Sequence, residues 1–255
     1  MGLNVEQKRD IYERGYTVLR GLVPIPLVER ARKAINHSLG EGIDPATLPT
    51  LRAQTYCPEL RNSEVITDLF NATEAPSLAA SVLGEGNFDL PTGGQIALRF
   101  PRADDEMPPF RPHLDGLPTS TNGVAPGNIG SFTALVGVLL SDLPEPNSGN
   151  FAVLPGTHRS TAEYFREHGP KSFFEGFPKI EQPDPVHITG KAGDMVFCHY
   201  QLGHGIAPNV SPNIRYAVFF RLTHHDHHQD KEARLIDIWR DWPGIGGSER
   251  ARENL

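Results

Sequence analysis

The sequence predicts a mainly β protein of the α+β class, in which N-terminal helices pack on a sandwich or barrel-like double sheet. Helical periodicity is confined to roughly the first 85 residues, and short apolar runs without alternating helices follow. The chain contains 25 glycines and 23 prolines, a composition typical of many short strands and turns. Without a repeat or linker, we predict one domain over residues 1–255: a helical flank (1–85), a β-core (86–225) and a tail (226–255).

The flank opens with a capped helix. Asn4 precedes the first helical pattern and Gly15 follows it, and these residue types favour a helix start and a helix stop. In the second helix, apolar residues recur at helical spacing from Val28 to Leu39, and Gly40 follows them. Two further segments show weaker helical patterns. The predicted helices cover residues 5–14, 24–39, 62–70 and 73–83.

The β-core is predicted from apolar runs that are bounded by Pro and Gly. Residues 131–140 form the longest run, which is apolar enough for a strand buried on both faces. One short strand lies earlier, between the first two helices, and a short helix is expected in the tail at 236–239. The predicted strands cover residues 16–19, 95–100, 131–140, 151–154, 186–189, 195–198 and 216–222.

Charge and composition narrow the class of partner. The formal net charge is −7, whereas nucleic acids and anionic membranes favour a basic surface, so we expect neither as a partner. No apolar run approaches the roughly 20 residues that span a bilayer. The only cysteines, Cys57 and Cys198, exclude a disulfide framework and a cysteine-rich zinc site. Because residues 1–10 lack an apolar signal core, a reduced, cytoplasmic protein is expected.

Two histidines and one carboxylate indicate a metal centre. His113 and Asp115 are two residues apart, so in a strand both side chains point to the same side. His204 follows a Gly-Asp turn and an apolar strand, and Gly203 and Gly205 allow the backbone to bend closely around it. Two His and one carboxylate form the facial triad of non-haem Fe(II) oxygenases, which leaves three coordination positions open.

An arginine points to an anionic ligand. Arg215 lies eleven residues after His204 and opens the apolar strand at 216–222. A cation that begins a strand entering the core needs an anionic partner. Its planar guanidinium matches a carboxylate in bidentate fashion, so a 2-oxo acid bound to the metal would place its far carboxylate here.

Three blocks of sequence resemble one enzyme family. They are His113-Leu114-Asp115, the segment 148–159 (SGNFAVLPGTHR) and the segment 193–215, which runs from Gly-Asp through His204 to Arg215. The middle block resembles the pattern N-G-x-L-x-V-x-P-G-S-H, and residues 15–23 resemble the opening strand. The sequence is similar to the phytanoyl-CoA dioxygenase-like family of Fe(II)/2-oxoglutarate oxygenases. Residues 40–90 and the tail match least.

The resemblance implies a double-stranded β-helix core, jelly-roll or cupin-like, with flanking N-terminal helices. It implies that His113, Asp115 and His204 bind Fe(II), that Arg215 binds 2-oxoglutarate and that O₂ is consumed. The implied reaction oxidises, normally hydroxylates, a C–H bond of a small organic metabolite, with release of succinate and CO₂. Desaturation, ring closure and epimerisation remain open.

A second class of function also remains open at this stage. The site would suit a cupin-like metal-binding module or an isomerase without 2-oxoglutarate turnover. Arg215 argues against that alternative, because a module without a 2-oxo acid has no reason to place an arginine there. No basic cluster suits the phosphates of coenzyme A, which favours a smaller free metabolite, and the sequence carries no signal of oligomeric state.

Further co-substrate or substrate contacts are expected on one strand. Relatives place such residues on the strand before the iron motif, where this chain has Gln95 and, four residues on and on the same face, Arg99. Relatives often have Ser or Thr two residues after the second iron-binding histidine or after the arginine, whereas Ile206 and Ala217 stand here. The candidate replacement donors are Thr133, Ser131 and Tyr216.

Other polar clusters have simpler interpretations. His158 lies in a Pro-Gly-Thr-His turn and suits a structural hydrogen bond, and His199 fits the family spacing less well than His204. The run His224–His228 is expected to be a polar loop after the last core strand. The acidic run Asp104–Glu106 predicts a solvated loop, with a substrate-gating lid as the alternative.

Overall fold

The computed structural model describes residues 2–104 and 107–245. The helices are α1 (Val5–Arg14), α2 (Ile25–Gly40), α3 (Leu48–Ala53), α4 (Glu64–Asn71), α5 (Ala75–Leu83), α6 (Thr157–His168) and α7 (Lys231–Ile236). The strands are β1 (Tyr16–Leu19), β2 (Gln95–Arg99), β3 (Ala134–Leu139), β4 (Phe151–Val153), β5 (Val186–His187), β6 (Met195–His199), β7 (His204–Ile206) and β8 (Arg215–Leu222). Within these residues, no helix combines the length and apolar character needed to cross a membrane.

One antiparallel sheet carries most of the β-core. Its strand order is β1-β6-β3-β8-β2. The central pair, β3 and β8, is in register from Ala134 opposite Leu222 to Leu139 opposite Ala217. Every residue of β3 is buried, which confirms the prediction of a strand covered on both faces.

A second, smaller antiparallel sheet has the order β5-β4-β7. Side chains alternate along a strand, so Ala217 and Phe219 of β8 face the cluster shared with this sheet. Phe219 of β8 and Phe151 of β4 pack with ring centroids 5.2 Å apart, and Ala217 and Val153 belong to the same apolar cluster. The side chains of the candidate site lie next to this apolar cluster.

The N-terminal helices cover the other face of the large sheet. Phe220 packs against Phe70 of α4 with ring centroids 5.7 Å apart, in a cluster that also contains residues of α2 and α5. The first helix forms as its caps predict. The Asn4 side chain accepts from the amide of Gln7 at 2.8 Å, and Gly15 ends the helix with φ of +84°. The fold is therefore mainly β, with helices added in an α+β arrangement.

Three helices and one strand depart from the expectations. Helix α3 and strand β7 were not predicted. Helix α6 was not predicted, because only a narrow stripe around Ala162 and Phe165 is buried while its other faces are polar. In the tail, α7 spans Lys231–Ile236 and ends where the predicted helix at 236–239 was to begin. Its start is set by Asp230, whose side chain accepts from the amide of Ala233 at 3.0 Å.

Candidate metal centre and co-substrate site

His113 and His204 are brought together by backbone pairing. The His113 amide donates to the His204 carbonyl at 2.8 Å, and the His204 amide donates back at 3.2 Å. His204 belongs to β7, whereas His113 forms only an isolated bridge and no regular strand. The sequence pattern thus predicted the right neighbours but not the single bridge that joins them. The two imidazole centroids are 4.6 Å apart.

Asp115 completes a compact set of ligand atoms. It follows His113 into a turn that Gly116 closes with φ of +91°. The Asp115 Oδ1 atom lies 3.5 Å from Nε2 of His113 and 3.7 Å from Nε2 of His204. The three ligand atoms all lie within 4.8 Å of one another. Two imidazole nitrogens and one carboxylate oxygen converging in this way fit a facial Fe(II) site.

The surroundings of Asp115 favour the ionised form of its carboxyl group. Burial raises its pKa, but the charge of the Arg221 guanidinium and the adjacent imidazoles of His113 and His204 outweigh that effect and hold the pKa well below its usual value. Arg221 contacts the other oxygen, with Nη2 2.8 Å from Oδ2. The group is therefore deprotonated at neutral pH, as metal ligation requires.

His204 is oriented by its own backbone. Its Nδ1 lies 2.8 Å from the carbonyl oxygen of Leu202, so Nδ1 carries the proton and Nε2 keeps its lone pair for a metal. The ring packs on Phe151, with centroids 5.2 Å apart. The flanking glycines let two other rings approach the backbone, because a Cβ at Gly203 would come within 2.8 Å of Phe177 and a Cβ at Gly205 within 2.8 Å of Phe110. His204 is almost fully buried, whereas half of the His113 side chain is exposed.

Arg215 is a buried cation held by neutral groups. Only 2% of the residue is exposed. Its Nε donates to the Gly149 carbonyl at 2.7 Å and its Nη1 to the Ala97 carbonyl at 3.1 Å. Burial, reinforced by the charge of Arg99, lowers its pKa to about 9. No Asp or Glu in the described parts of the chain forms an ion pair with Arg215.

Arg99 lies directly beside Arg215. The two are paired residues of β2 and β8 and therefore share a face of the large sheet. Burial, and next the charge of Arg52, lowers the pKa of Arg99, and its Nε is buried with no hydrogen-bond partner. Gln95 shares that face, opposite Phe219, and its side-chain amide approaches the Ala53 carbonyl at 3.5 Å. The same-face prediction for Gln95 and Arg99 agrees with this register.

A cleft of about 450 Å³ opens next to this arginine pair. Arg99 lines it together with Ile206, which lies two residues after His204 on β7. Arg52 adds positive charge to its wall, Arg102 is paired there with Asp104, and Phe110 closes another side. A cleft next to a buried arginine pair without a carboxylate partner among the described residues suits a small anion.

The three predicted replacement donors have other partners. The Thr133 hydroxyl accepts from the His224 amide at 2.9 Å and lies 3.4 Å from Asp241. Ser131 Oγ lies 2.8 Å from Nε2 of His227. Tyr216 points to the helical side, where its hydroxyl donates to Asn36 at 2.9 Å. In this structure none of the three is directed at Arg215. Strand alternation turns Tyr216 to the helical side, and residues of the tail contact Ser131 and Thr133.

Two further histidines have structural contacts. Nε2 of His158 lies 3.1 Å from the Tyr12 carbonyl, in keeping with the predicted hydrogen bond in this turn. Nε2 of His199 lies 3.0 Å from the Ile238 carbonyl, and burial lowers its pKa to about 4. Both imidazoles are buried away from the His113–His204 pair, so His204 and not His199 joins the cluster.

The run His224–His228 is not a simple polar loop. His227 is buried, and its Nδ1 lies 2.6 Å from Asp241 Oδ2. Arg234 donates to the same carboxylate at 3.0 Å. This network (Ser131, Thr133, His227, Arg234, Asp241) fixes the tail onto the start of β3. Sequence reasoning missed it because its members are separated by up to 110 residues. Of the acidic run, Asp105 and Glu106 lie outside the described residues.

The family model for phytanoyl-CoA dioxygenase (PhyH) matches residues 11–217. This span contains His113, Asp115, His204 and Arg215. The chain belongs to the phytanoyl-CoA dioxygenase family. Human peroxisomal phytanoyl-CoA dioxygenase is 25% identical over 254 residues, which cover 89% of this chain and 70% of the human protein. The family prediction is confirmed.

Solved structures share the fold at low sequence identity. HygX from Streptomyces hygroscopicus, solved with nickel and 2-oxoglutarate bound, is 18% identical with a TM-score of 0.59, and the match covers 88% of each chain. The non-haem α-ketoglutarate-dependent carbocyclase SnoK of nogalamycin biosynthesis is 20% identical with a TM-score of 0.54 over 90% of each chain. At these identities the likeness establishes the common fold.

Proposed function

We propose that this protein is a non-haem Fe(II)/2-oxoglutarate-dependent dioxygenase that oxidises a C–H bond of a small organic metabolite. The observation that carries the proposal is the pairing of two features between the sheets. One is the convergent set of His113, Asp115 and His204. The other is the pair of Arg99 and Arg215, which has no carboxylate partner among the described residues and adjoins a cleft that Ile206, two residues after His204, also lines. Family membership supports the same activity.

Each residue has a defined task in this proposal. His113 and His204 donate Nε2, and Asp115 donates Oδ1, to one Fe(II). The bound iron supplies O₂ activation, coupled to oxidative decarboxylation of 2-oxoglutarate to succinate and CO₂. Arg215 and Arg99 bind the far carboxylate of 2-oxoglutarate, which provides the anion that both lack.

Residues around the site are proposed to limit access of water and to contact the ligands. Phe151 and Phe219 form an apolar wall that excludes water from one side of the centre. Gln95, on the same face as Arg99, is proposed to contact the co-substrate or substrate. Thr133 is left out of this set, because its hydroxyl is engaged by the His224 amide and Asp241.

The proposal extends to the fold, the domain organisation, the substrate and the cellular location of the protein. The two facing antiparallel sheets are inferred to be the halves of a double-stranded β-helix, and residues 1–255 to form one oxygenase domain. The substrate is proposed to be a free small metabolite, the protein to act in the cytoplasm, and neither nucleic acid nor membrane to be a partner. Hydroxylation is the expected outcome, with desaturation, cyclisation or epimerisation as variants.

A metal-binding module without 2-oxoglutarate chemistry is the second candidate. It would leave Arg215 and Arg99 without a ligand, although burial of two adjacent cations without an anion is unfavourable. The arginine pair therefore favours the oxygenase over the module.

The test is Fe(II)-dependent release of succinate from 2-oxoglutarate by the purified apo-protein. Wild type is expected to turn over only with added Fe(II), and His113→Ala or Asp115→Ala is expected to abolish turnover by removing a ligand. His225→Ala serves as the control, because His225 is an exposed histidine paired with Asp89 outside the site. Normal succinate release by both ligand variants would rule out the proposal.

A further inference from the structure

Arg221 makes a contact with the metal centre that the ligand set alone does not explain. It lies on β8, six residues after Arg215, and projects from the same face. Its Nη2 is 2.8 Å from Oδ2 of Asp115. The other oxygen, Oδ1, faces the two imidazoles at 3.5 and 3.7 Å. The arginine thus contacts one carboxylate oxygen, and the second faces the two imidazoles.

The guanidinium of Arg221 is itself held in place. Its Cζ lies over the Phe132 ring, 5.4 Å from the centroid. Phe132 is buried and packs edge-on against Tyr200, with centroids 5.1 Å apart. The segment around Phe132 is fixed in turn, because its neighbour Ser131 contacts the buried His227. Arg221 therefore approaches Asp115 from a rigid platform although 38% of its side chain is exposed.

The pairing is exclusive in the part of the chain that the structure describes. There, Arg221 has no second carboxylate partner, and Asp115 has no second lysine or arginine partner. The orientation of the Asp115 carboxylate thus depends on this contact and on the imidazoles. A carboxylate freed from it would be able to rotate and to present both oxygens to the metal.

We propose that Arg221 is a positioning residue that restricts Asp115 to single-oxygen ligation. This inference rests on the proposed oxygenase function. A facial triad supplies three donor atoms and leaves three positions, two for a 2-oxo acid and one for O₂. A second oxygen from Asp115 would occupy one of those three. Arg221 acts through Asp115, so both metal binding and co-substrate binding depend on it.

The experiment measures binding of Co(II), a surrogate stable in air, to apo-protein by calorimetry, and follows the Co(II) absorption spectrum before and after addition of 2-oxoglutarate. The variants are Arg221→Met and Arg221→Lys. For Arg221→Met we expect Co(II) binding about 10–100-fold weaker, as for loss of other partners of metal ligands. The spectrum should also change, and 2-oxoglutarate should bind more weakly. Arg221→Lys keeps the charge but lacks the stacked, planar fork, so recovery is expected to be partial.

A matched control separates this role from loss of any surface ion pair. Arg30 pairs with Asp68 between α2 and α4, with 47% of its side chain exposed, and Arg30→Met is expected to bind Co(II) like wild type. Phe132→Leu removes the platform but keeps the ion pair, and we expect an intermediate loss, which keeps the proposal testable if Arg221→Met fails to fold.

The outcomes distinguish this proposal from the function it rests on. Equal or tighter Co(II) binding by folded Arg221→Met, with an unchanged spectrum, would overturn the positioning role, because it would show that the arginine only opposes the metal charge. Equal Co(II) affinity of folded Arg221→Met and wild type would overturn the positioning role as well, whatever the spectrum. By contrast, wild-type protein that binds Co(II) but shows no response to 2-oxoglutarate would contradict the oxygenase function.

Discussion

At the scale of single residues, the site is defined by which charges lack a partner. Arg215 and Arg99 are adjacent cations, and burial lowers the pKa of both. Asp115, in contrast, has an arginine and two imidazoles around it. The arginine pair therefore lacks an anionic ligand, whereas the group around Asp115 offers ligand atoms to a metal cation. Together they describe a site with complementary charges for Fe(II) and a dicarboxylic 2-oxo acid.

The role of Arg215 can be tested with two 2-oxo acids. We expect Arg215→Met to raise the Kd for 2-oxoglutarate by about 10–100-fold, the effect of losing charge-assisted hydrogen bonds. Binding of 2-oxopentanoate, which lacks the far carboxylate, should be weak and nearly equal in variant and wild type. Calorimetry with the Co(II)-loaded protein measures both.

The control for that experiment is Arg166→Met, which removes an exposed arginine from the last turn of α6. It should bind both acids like wild type. An unchanged Kd for 2-oxoglutarate in Arg215→Met would place the far carboxylate elsewhere.

Residue-level prediction succeeded where chemistry is encoded locally. The pattern His113-x-Asp115 and the glycines around His204 pointed to three side chains that the structure brings together, whereas the role of Arg215 at the start of β8 stays a prediction. Arg221 was not predicted, because its contact with Asp115 depends on how β8 and the Asp115 turn meet in space. The contacts of the Thr133 hydroxyl were not predicted for the same reason, since its partner Asp241 is 108 residues away.

At the scale of elements, the tail is part of the core. His227, Arg234 and Asp241 form a buried network, and the stacked rings of Trp242 and His199 lie 5.2 Å apart beside it. The tail was predicted only as a short helix, because buried charge pairs leave no apolar periodicity in the sequence. The helices α1, α2, α4 and α5 and the strands β1 to β6 and β8 were predicted within a few residues of their ends, whereas α3, α6 and β7 were missed.

The pH dependence of stability tests this network. Burial raises the pKa of Asp241, but the His227 hydrogen bond and the charges of His227 and Arg234 outweigh it, so the pKa is below its usual value. A depressed carboxyl pKa contributes stability that is complete above the unfolded pKa, about 4, and is lost as the pH falls through the folded pKa. Unfolding of wild type should therefore become easier below about pH 4.

Asp241→Asn removes that contribution. We expect it to lower the free energy of unfolding at pH 7 by about 3–5 kcal/mol, because the buried guanidinium of Arg234 loses its anion and His227 loses its carboxylate hydrogen-bond partner. The acid-dependent part of the decline should be shallower than in wild type. Asp237→Asn, at an exposed position on the same segment, is the control. Denaturant titrations between pH 7 and pH 3.5 measure both, and parallel curves for Asp241→Asn and wild type would refute the account of the network.

At the scale of the whole molecule, two sheets and one helical layer have separate roles. The helices cover one face of the large sheet, which frees the other face for the site. That class of fold was predictable, because periodicity switches once along the chain. The pairing of strands was not, since β1 joins β6 about 180 residues later. The family resemblance implied a long-range arrangement, the double-stranded β-helix, which local patterns do not contain.

The most direct test of the central claim is anomalous X-ray diffraction from crystals prepared without oxygen, with Fe(II) and 2-oxoglutarate. The account predicts one strong iron peak in contact with Nε2 of His113, Nε2 of His204 and Oδ1 of Asp115. It also predicts that the far carboxylate of 2-oxoglutarate is bound by Arg215. An iron peak elsewhere, for example at His224–His228, or a co-substrate away from Arg215, would contradict the account.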